Sequence, residues 1–121
     1  MRLSEIDFGA AQPVEGYVPD FFRIGGAAHA APLLIVPGQV RPWGGYEDAE
    51  ALLELVGQVD VLFVGTGAAI AHLPTGLRTR LEEAGLGVEI MDSPAACRTY
   101  NVLLSEQRRV ALALLPVQPE A

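Results

Sequence analysis

Short aliphatic runs recur along the chain, and each is followed by glycine, proline or a charged turn. Continuous apolar runs of four to six residues are typical of strands buried on both faces of a sheet. A mixed run followed by Gly25-Gly26 is typical of a shorter strand that ends in a turn. These patterns predict strands at residues 33–36 (LLIV), 61–64 (VLFV), 88–91 (VEIM), 110–115 (VALALL) and, as an antiparallel edge piece, 21–24 (FFRI).

In the segments between these runs, apolar residues show the spacing of an amphipathic helix. This spacing predicts helices at about 47–56, from near Pro74 to Gly85, and at about 94–106. Strands that alternate with helices favour an α/β domain with a central, largely parallel sheet. The length of 121 residues suits one domain spanning 1–121. Residues 1–19, rich in glycine and proline, are predicted to be irregular, and 116–121 a frayed tail.

Composition and charge limit the classes of partner and the location that the sequence predicts. The formal charge of −7, with no lysine, disfavours nucleic acid and anionic membrane surfaces, so no nucleic-acid partner is predicted. No apolar run approaches the roughly 20 residues of a membrane helix, so no membrane insertion is expected. One cysteine cannot form an internal disulfide, and residues 1–12 do not resemble a signal peptide. A cytoplasmic location is therefore predicted.

The first candidate site is the turn Gly65-Thr66-Gly67, which ends the strand VLFV. Exposed backbone N–H groups in such a turn suit a small anion. The stretch lacks both a dinucleotide fingerprint and a P-loop lysine, so a plain strand-to-loop turn is the favoured interpretation.

The second candidate site begins the last helix. Ser93 is predicted to be its N-cap and Pro94 its first residue. If the two preceding strands are parallel, this turn and the glycine turn emerge at the same edge of the sheet, where α/β proteins bind ligands. In that cleft Arg98 would hold a negative group, and Asp92 and Asn101 would orient it. The complete predicted cleft comprises Gly65, Thr66, Gly67, Asp92, Ser93, Arg98 and Asn101.

Other reactive side chains have structural alternatives. Cys97 is either a nucleophilic or redox thiol near Arg98 or a small buried hydrophobe, and burial is favoured. His29 and His72 are interpreted as loop residues and form no zinc signature with the cysteine. No catalytic residue, metal or cofactor is therefore predicted. Trp43, with Tyr46, is either an exposed partner contact or, slightly favoured, a lid over the core.

The stretch from 91 to 109, with VGTG and Trp43, resembles a family of small single-domain proteins of unknown function. The family includes bacterial and archaeal members and an assembly factor of mitochondrial respiratory complex I. Two departures are threonine in the family at Ser93 and glycine at Gln107. The resemblance rests most specifically on Met91, Asp92, Ala95, Ala96, Thr99, Tyr100, Asn101, Leu103, Glu106, Arg108 and Arg109.

The resemblance implies a three-layer α/β fold whose central sheet is mixed and, from the strand order above, mostly parallel, with flanking helices. Together with the absence of a catalytic constellation and the loop around Trp43, the resemblance favours a non-enzymatic protein that interacts with protein partners or assembles a larger complex, which the resemblance suggests is respiratory complex I. The alternative is a small-molecule or anion-binding protein, including an enzyme, that uses the cleft at the carboxyl edge of the sheet.

Overall fold

A computed structural model describes residues 12–117. They form a small α/β domain of eight strands and three α-helices, with a 3-10 turn at Gly45–Glu47. The elements, in chain order, are β1 Val14–Val18, β2 Phe21–Ile24, β3 Ala27–Ala30, β4 Leu33–Val36, β5 Gln39–Pro42, α1 Ala49–Leu53, β6 Val61–Gly65, α2 Leu77–Glu83, β7 Gly87–Met91, α3 Ser93–Ser105 and β8 Val110–Leu114.

Five strands form the central sheet in the order β5-β4-β8-β6-β7. β6 pairs in parallel with both β7 and β8, whereas β4 pairs antiparallel with β5 and β8. The sheet is therefore mixed, as predicted. The expectation of mostly parallel pairing is wrong, because the described range contains two parallel and two antiparallel pairings in this sheet.

The pleat of the central strands divides the core into two halves. Leu34, Leu62 and Val64 face α1 and α2, and Leu33 and Phe63 face the opposite side. On that opposite side lie α3 and a second, antiparallel sheet of β1, β2 and β3. This three-layer arrangement explains the continuous aliphatic runs of β4, β6 and β8, because both faces of these strands are covered.

Several local predictions need correction. The segment predicted to be irregular contains β1, the segment before Trp43 contains β5, and His29 lies in β3 rather than in a loop. The strand FFRI is the middle strand of the second sheet, not an edge of the central one. The helix expected over 47–56 is limited to α1, after the 3-10 turn. The predictions for residues 1–11 and 118–121 lie outside the described residues.

Among the helices between residues 12 and 117, none is long and apolar enough to cross a bilayer.

Candidate functional site

The two predicted turns do meet at one edge of the central sheet. β6 and β7 are parallel, and Gly65 at the end of β6 is in register with Met91 at the end of β7. The chain then leaves β6 towards α2 on one face and leaves β7 into α3 on the other. This divergence is the arrangement that creates a ligand crevice in open α/β sheets.

Direct hydrogen bonds connect the two turns across that crevice. The Ser93 N–H donates to the Gly67 carbonyl at 2.8 Å, and the Gly67 N–H donates to Ser93 Oγ at 2.9 Å. The Ser93 hydroxyl in turn donates to the Leu115 carbonyl at 2.9 Å. Ser93 is fully buried. Its hydrogen bonds connect the ends of β6 and β8 to the start of α3. Sequence spacing gave no signal for this three-way contact.

The start of α3 has no spare donors for an anion. Asp92, not Ser93, is the N-cap, and its carboxylate accepts the Ala95 N–H at 2.8 Å. The Ala96 N–H donates to the Asp92 carbonyl, and Pro94 has no N–H to offer. The predicted cap is therefore wrong by one residue, because the serine hydroxyl is used between segments rather than within the helix.

Thr66 is also engaged within its own loop. Its N–H donates to the Met91 carbonyl at 2.9 Å, and its hydroxyl donates to the Ala69 carbonyl at 2.8 Å. The same hydroxyl accepts the Ala71 N–H at 3.1 Å. These contacts hold the segment after β6 as a compact loop, beside a surface pocket of about 380 Å³ lined by residues 66–71, Leu115 and Pro116. The other members of the predicted cleft do not line it.

The glycine at the end of β6 has a packing reason. A Cβ on Gly65 would lie 2.8 Å from the Ser93 Cα, closer than such atoms approach in proteins. Glycine here allows the start of α3 to approach the strand, and it explains this part of the Gly-Thr-Gly motif without a ligand.

Asn101 lies away from the crevice and binds the second sheet. Its Nδ2 donates to the Val14 carbonyl at 2.7 Å, and its Oδ1 accepts the Val14 N–H at 2.9 Å. The amide thus pairs with β1 as a neighbouring strand would. Arg98 is exposed, and its side chain makes no hydrogen bond or ion pair with another residue of the range 12–117. The structure therefore brings the two turns together but not these two side chains.

Cys97 is buried in the core between α3 and the central sheet. Desolvation raises the pKa of its thiol to about 12, and the nearby Arg98 charge offsets this only in part. The thiol is therefore neutral at physiological pH, which is the opposite of what a nucleophile requires. The interpretation of Cys97 as a small buried hydrophobe is confirmed.

Other residues of the resembling stretch make contacts within the fold. Ala96 and Tyr100 are buried against the sheet, and the Thr99 hydroxyl approaches the Met91 sulfur at 3.5 Å. Arg109, just before β8, donates to Asp60 at 2.8 Å and lowers the pKa of that carboxyl. The buried contacts hold α3 against the central sheet, and the exposed Arg109–Asp60 ion pair joins the segments just before β8 and β6.

The end of α3 is closed by a residue in the left-handed conformation. Gln107 has φ of 62°, and its N–H donates to the Leu104 carbonyl. The Arg108 N–H donates to the Leu103 carbonyl, which completes a Schellman motif after the C-cap residue Glu106. The chain therefore forms with glutamine a cap at which glycine is the usual residue.

Trp43 is 4% exposed and covers the core on the α1 side. Its ring packs edge-on against Tyr46, and its Nε1–H donates to the Asp48 carbonyl at 3.2 Å. The lid interpretation is confirmed. The alternative, an exposed partner contact, is wrong because the indole has both its apolar surface and its donor satisfied internally.

Anion binding at the carboxyl edge stays a prediction. The backbone N–H groups that were predicted to bind the anion donate to acceptors within the protein. The Arg98 side chain is therefore the remaining candidate for holding an anion. A thermal-shift titration with phosphate, comparing the native protein with Arg98→Ala, checks it: an Arg98-dependent rise of several degrees would support the cleft.

Several known proteins are similar to this chain over most of its length. An uncharacterized protein of Rhodobacter capsulatus is 53% identical over 97% of this chain and 94% of its own. The zebrafish NADH dehydrogenase [ubiquinone] 1 alpha subcomplex assembly factor 3 is 32% identical over 96% of this chain and 71% of its own length. The structure of a Bartonella henselae protein, described as an outer membrane protein, is 33% identical with a TM-score of 0.80, over 89% and 97% of the two chains.

The resemblance recognised from the α3 stretch is confirmed by these relatives and by a family model. That model, described as a protein of unknown function (DUF498/DUF598), matches residues 14–115, and the chain belongs to this family.

Proposed function

We propose that this chain is a non-enzymatic assembly factor that acts by binding protein partners, and that its target is the NADH dehydrogenase complex. The support from relatives is the similarity to the vertebrate assembly factors, which extends over nearly the whole chain rather than over one motif. The relatives' role is carried over here as a proposal for this chain.

The proposal that the chain is not an enzyme rests on the hydrogen bonds made by polar residues at the start of α3 and within it. Asp92 caps the helix, Ser93 joins three segments and Asn101 holds β1. A catalytic constellation needs polar groups that stay available to a substrate. Here the side chains of Asp92, Ser93 and Asn101 all have hydrogen-bond partners within the fold.

The buried thiol supports the same conclusion. A nucleophilic cysteine needs access to a substrate and a lowered pKa, whereas Cys97 is buried and has a raised pKa. The acidic net charge supports protein partners over nucleic acid.

The cytoplasm is the proposed location. The name of the Bartonella relative makes fractionation a useful check, because it refers to an outer membrane. Immunoblots of cytoplasmic and membrane fractions from the source organism should find the chain in the first. Recovery with the membranes after a high-salt wash would contradict the proposed location.

Affinity purification from the source organism tests the proposed function. The tagged chain, expressed from its own promoter, should recover subunits of the NADH dehydrogenase complex in near-stoichiometric amount, measured by quantitative mass spectrometry. The matched control is an equally expressed, equally tagged unrelated domain. Repeated recovery of the chain alone, after gentle lysis and chemical crosslinking, would contradict the proposal.

A further inference from the structure

Strand β7 forms one edge of the central sheet, since within residues 12–117 it pairs only with β6. In a strand, the N–H and C=O groups of alternate residues point to opposite sides, so one set pairs with the neighbour and the other points away. The Thr66 N–H donates to the Met91 carbonyl, which shows that Met91 and Glu89 are directed towards β6. The backbone groups of Val88 and Ile90 are therefore directed outwards.

A side chain of α2 covers part of this edge. The Arg78 guanidinium donates to the Val88 carbonyl at 3.1 Å, and its Nε donates to Glu82 at 3.3 Å. Val88 is buried, whereas Ile90 is partly exposed. Within residues 12–117, neither the N–H nor the C=O of Ile90 has a hydrogen-bond partner. The edge of β7 therefore presents one donor and one acceptor on the same residue.

Other sheet edges within residues 12–117 are interrupted or narrow. β1 has a register shift between Val14 and Gly16, and Asn101 bonds both backbone groups of Val14. β5 ends in Pro42, which has no N–H, and it shares a pocket of only about 160 Å³ with β3. Bulges, prolines and covering side chains are the usual means by which proteins prevent pairing at an edge. β7 has neither a bulge nor a proline, and Arg78 is its only such cover in this range.

A groove of about 360 Å³ borders the outward side of β7. Ile70 is 65% exposed, the largest value among the exposed large hydrophobic side chains of residues 12–117. One wall of the groove is the loop after β6, and the other is the edge of β7. We call this region the β7 edge site, and its lining residues are Ile70, Ala71, His72, Arg78, Glu89 and Ile90.

The backbone groups of Ile90 determine the class of molecule that fits the β7 edge site. A donor and an acceptor on one strand residue are matched by one residue of an antiparallel strand, which exchanges both hydrogen bonds. Extended segments add to exposed sheet edges in this way. The side chain of the matching residue lies on the same face as that of Ile90, which packs on the α2 side, and it enters the groove beside Ile70. An aliphatic side chain therefore suits this position.

The register of β7 disfavours a second copy as the occupant. In a two-fold antiparallel pairing centred at Glu89, the two Glu89 carboxylates would lie directly opposite each other, which is destabilising. In a pairing centred at Ile90, Val88 would lie opposite Asp92, whose carbonyl already accepts the Ala96 N–H in α3. Each copy also carries a formal charge of −7. An extended segment of another protein meets none of these restrictions.

We propose that the β7 edge site binds an extended segment of a protein partner by antiparallel strand addition. One aliphatic residue of the segment exchanges both backbone hydrogen bonds with Ile90 and places its side chain beside Ile70. Pairing extends to Val88 when Arg78 leaves the edge, so Arg78 limits the affinity of the site. This assignment deepens the proposed function and rests on it, since it names the surface through which the protein partner is bound.

Amide hydrogen exchange of the full-length chain tests the exposed edge itself. The N–H groups of Glu89 and Met91 are paired with β6 and should be protected. The Ile90 N–H should exchange faster, by on the order of tenfold or more, because it has no partner in the sheet. Equal protection of the three amides in the chain alone would show that the edge is already covered, and would overturn the site.

NMR titration of the ¹⁵N-labelled full-length chain tests the occupant. The probe is the peptide acetyl-GTVTVTG-amide, whose two valines share one face of an extended chain. It should cause saturable shift changes at Ile90, Ala71 and His72 and should slow exchange of the Ile90 amide. The control acetyl-GTSTSTG-amide lacks the apolar side chains and should bind roughly tenfold more weakly or less.

Backbone N-methylation separates strand addition from other modes of peptide binding. In the antiparallel pairing, the N–H groups of the two valines point to β7, and those of the threonines point to solvent. N-methylation of both valines should therefore abolish saturable binding. N-methylation of the first two threonines should leave the affinity within about twofold of the unmodified peptide, because no hydrogen bond to the protein is removed.

Three variants of the chain test the groove and its cover. Ile70→Glu changes an exposed loop residue, so it should keep the native thermal midpoint and bind the valine peptide roughly tenfold more weakly. Ala68→Glu, in the same loop but outside the groove, is the matched control and should bind as the native protein does. Arg78→Ala uncovers the Val88 carbonyl and should bind about twofold to tenfold more tightly, as expected for an additional hydrogen bond.

Several results would overturn the β7 edge site. They are the absence of saturable changes at Ile90, unchanged binding of the peptide with N-methylated valines, and weaker binding by Arg78→Ala. Concentration-dependent protection of Ile90 without peptide would assign the edge to a second copy. Nuclear Overhauser contacts to Ile90 from residues 1–11 or 118–121 would assign it to the chain itself.

The two proposals fail in different ways. If Ile70→Glu recovers the NADH dehydrogenase subunits as well as the native chain does, the β7 edge site is wrong and the assembly role stands. If the valine peptide binds as described but no stoichiometric partner is recovered, the assembly role fails and the site stands.

Discussion

Asn101 in α3 pairs with both backbone groups of Val14 in β1, at 2.7 and 2.9 Å. The side-chain amide thereby acts as one more residue of strand at the edge of the second sheet. A residue that the sequence places in a ligand cleft instead joins the last helix to the first described strand, 87 positions away along the chain.

Asn101→Ala is expected to lower the free energy of unfolding by about 1–3 kcal/mol, because it leaves the mostly buried Val14 N–H and carbonyl without partners. Urea denaturation measures the loss, and hydrogen exchange should show that amides of β1 lose protection first. Ser105→Ala, one turn along the same helix, removes only a bond to the Val102 carbonyl and should change stability by less than about 0.5 kcal/mol. Equal effects of the two substitutions would contradict the structural role of Asn101.

Ser93→Ala is expected to cost about 1–3 kcal/mol, because it leaves the buried Gly67 N–H and the Leu115 carbonyl unpaired. Thermal and urea unfolding measure the effect, with Ser105→Ala again as the control. A loss below about 0.5 kcal/mol would show that the three-way contact contributes little.

Gln107→Gly is expected to stabilise the protein by about 0.5–1 kcal/mol. A left-handed conformation costs a non-glycine residue roughly 1–2 kcal/mol, and the greater entropy of unfolded glycine offsets part of the gain. Gln58→Gly is the matched control, since Gln58 is also an exposed turn glutamine but has an ordinary φ. That control should destabilise, so substitutions that act in the same direction would contradict the cap geometry.

Cys97 should make the native protein less stable in alkali. Its folded pKa of about 12 lies above its ordinary value of 9.0, so the unfolded chain loses the thiol proton first. The stabilisation is therefore complete below about pH 9 and is lost as pH rises towards 12, by about 1.4 kcal/mol per pH unit. Urea titrations between about pH 9 and 10 should give the native protein a steeper decline than Cys97→Ala. Equal slopes would show that the thiol is not desolvated.

The sequence predicted those parts of the fold whose signal is local and strong. The central strands β4, β6 and β8 are buried on both faces and appear as aliphatic runs, and α3 has a clear apolar spacing. The parallel order of β6 and β7 followed from the helix between them, and it correctly placed the two turns at one edge.

Other features depend on contacts between distant residues. β1 and β3 are mostly exposed and short, so neither an aliphatic run nor a clean alternation marks them. The helix cap was assigned to Ser93 because serine and aspartate are both good caps. The choice is made by Gly67 and Leu115, which engage the serine hydroxyl. Polar residues near a helix start therefore indicated a ligand where the structure uses them as internal connections.

The central claim is that the chain assists assembly of the NADH dehydrogenase complex, and deletion of its gene in the source organism tests this most directly. Membranes are analysed on native gels, with immunoblots for the complex and parallel measurement of its subunit transcripts. The account predicts less fully assembled complex, accumulated partial assemblies and unchanged transcripts, with recovery when the native chain is restored. A normal amount of fully assembled complex in the deletion strain, at normal growth rate and temperature, would contradict the account.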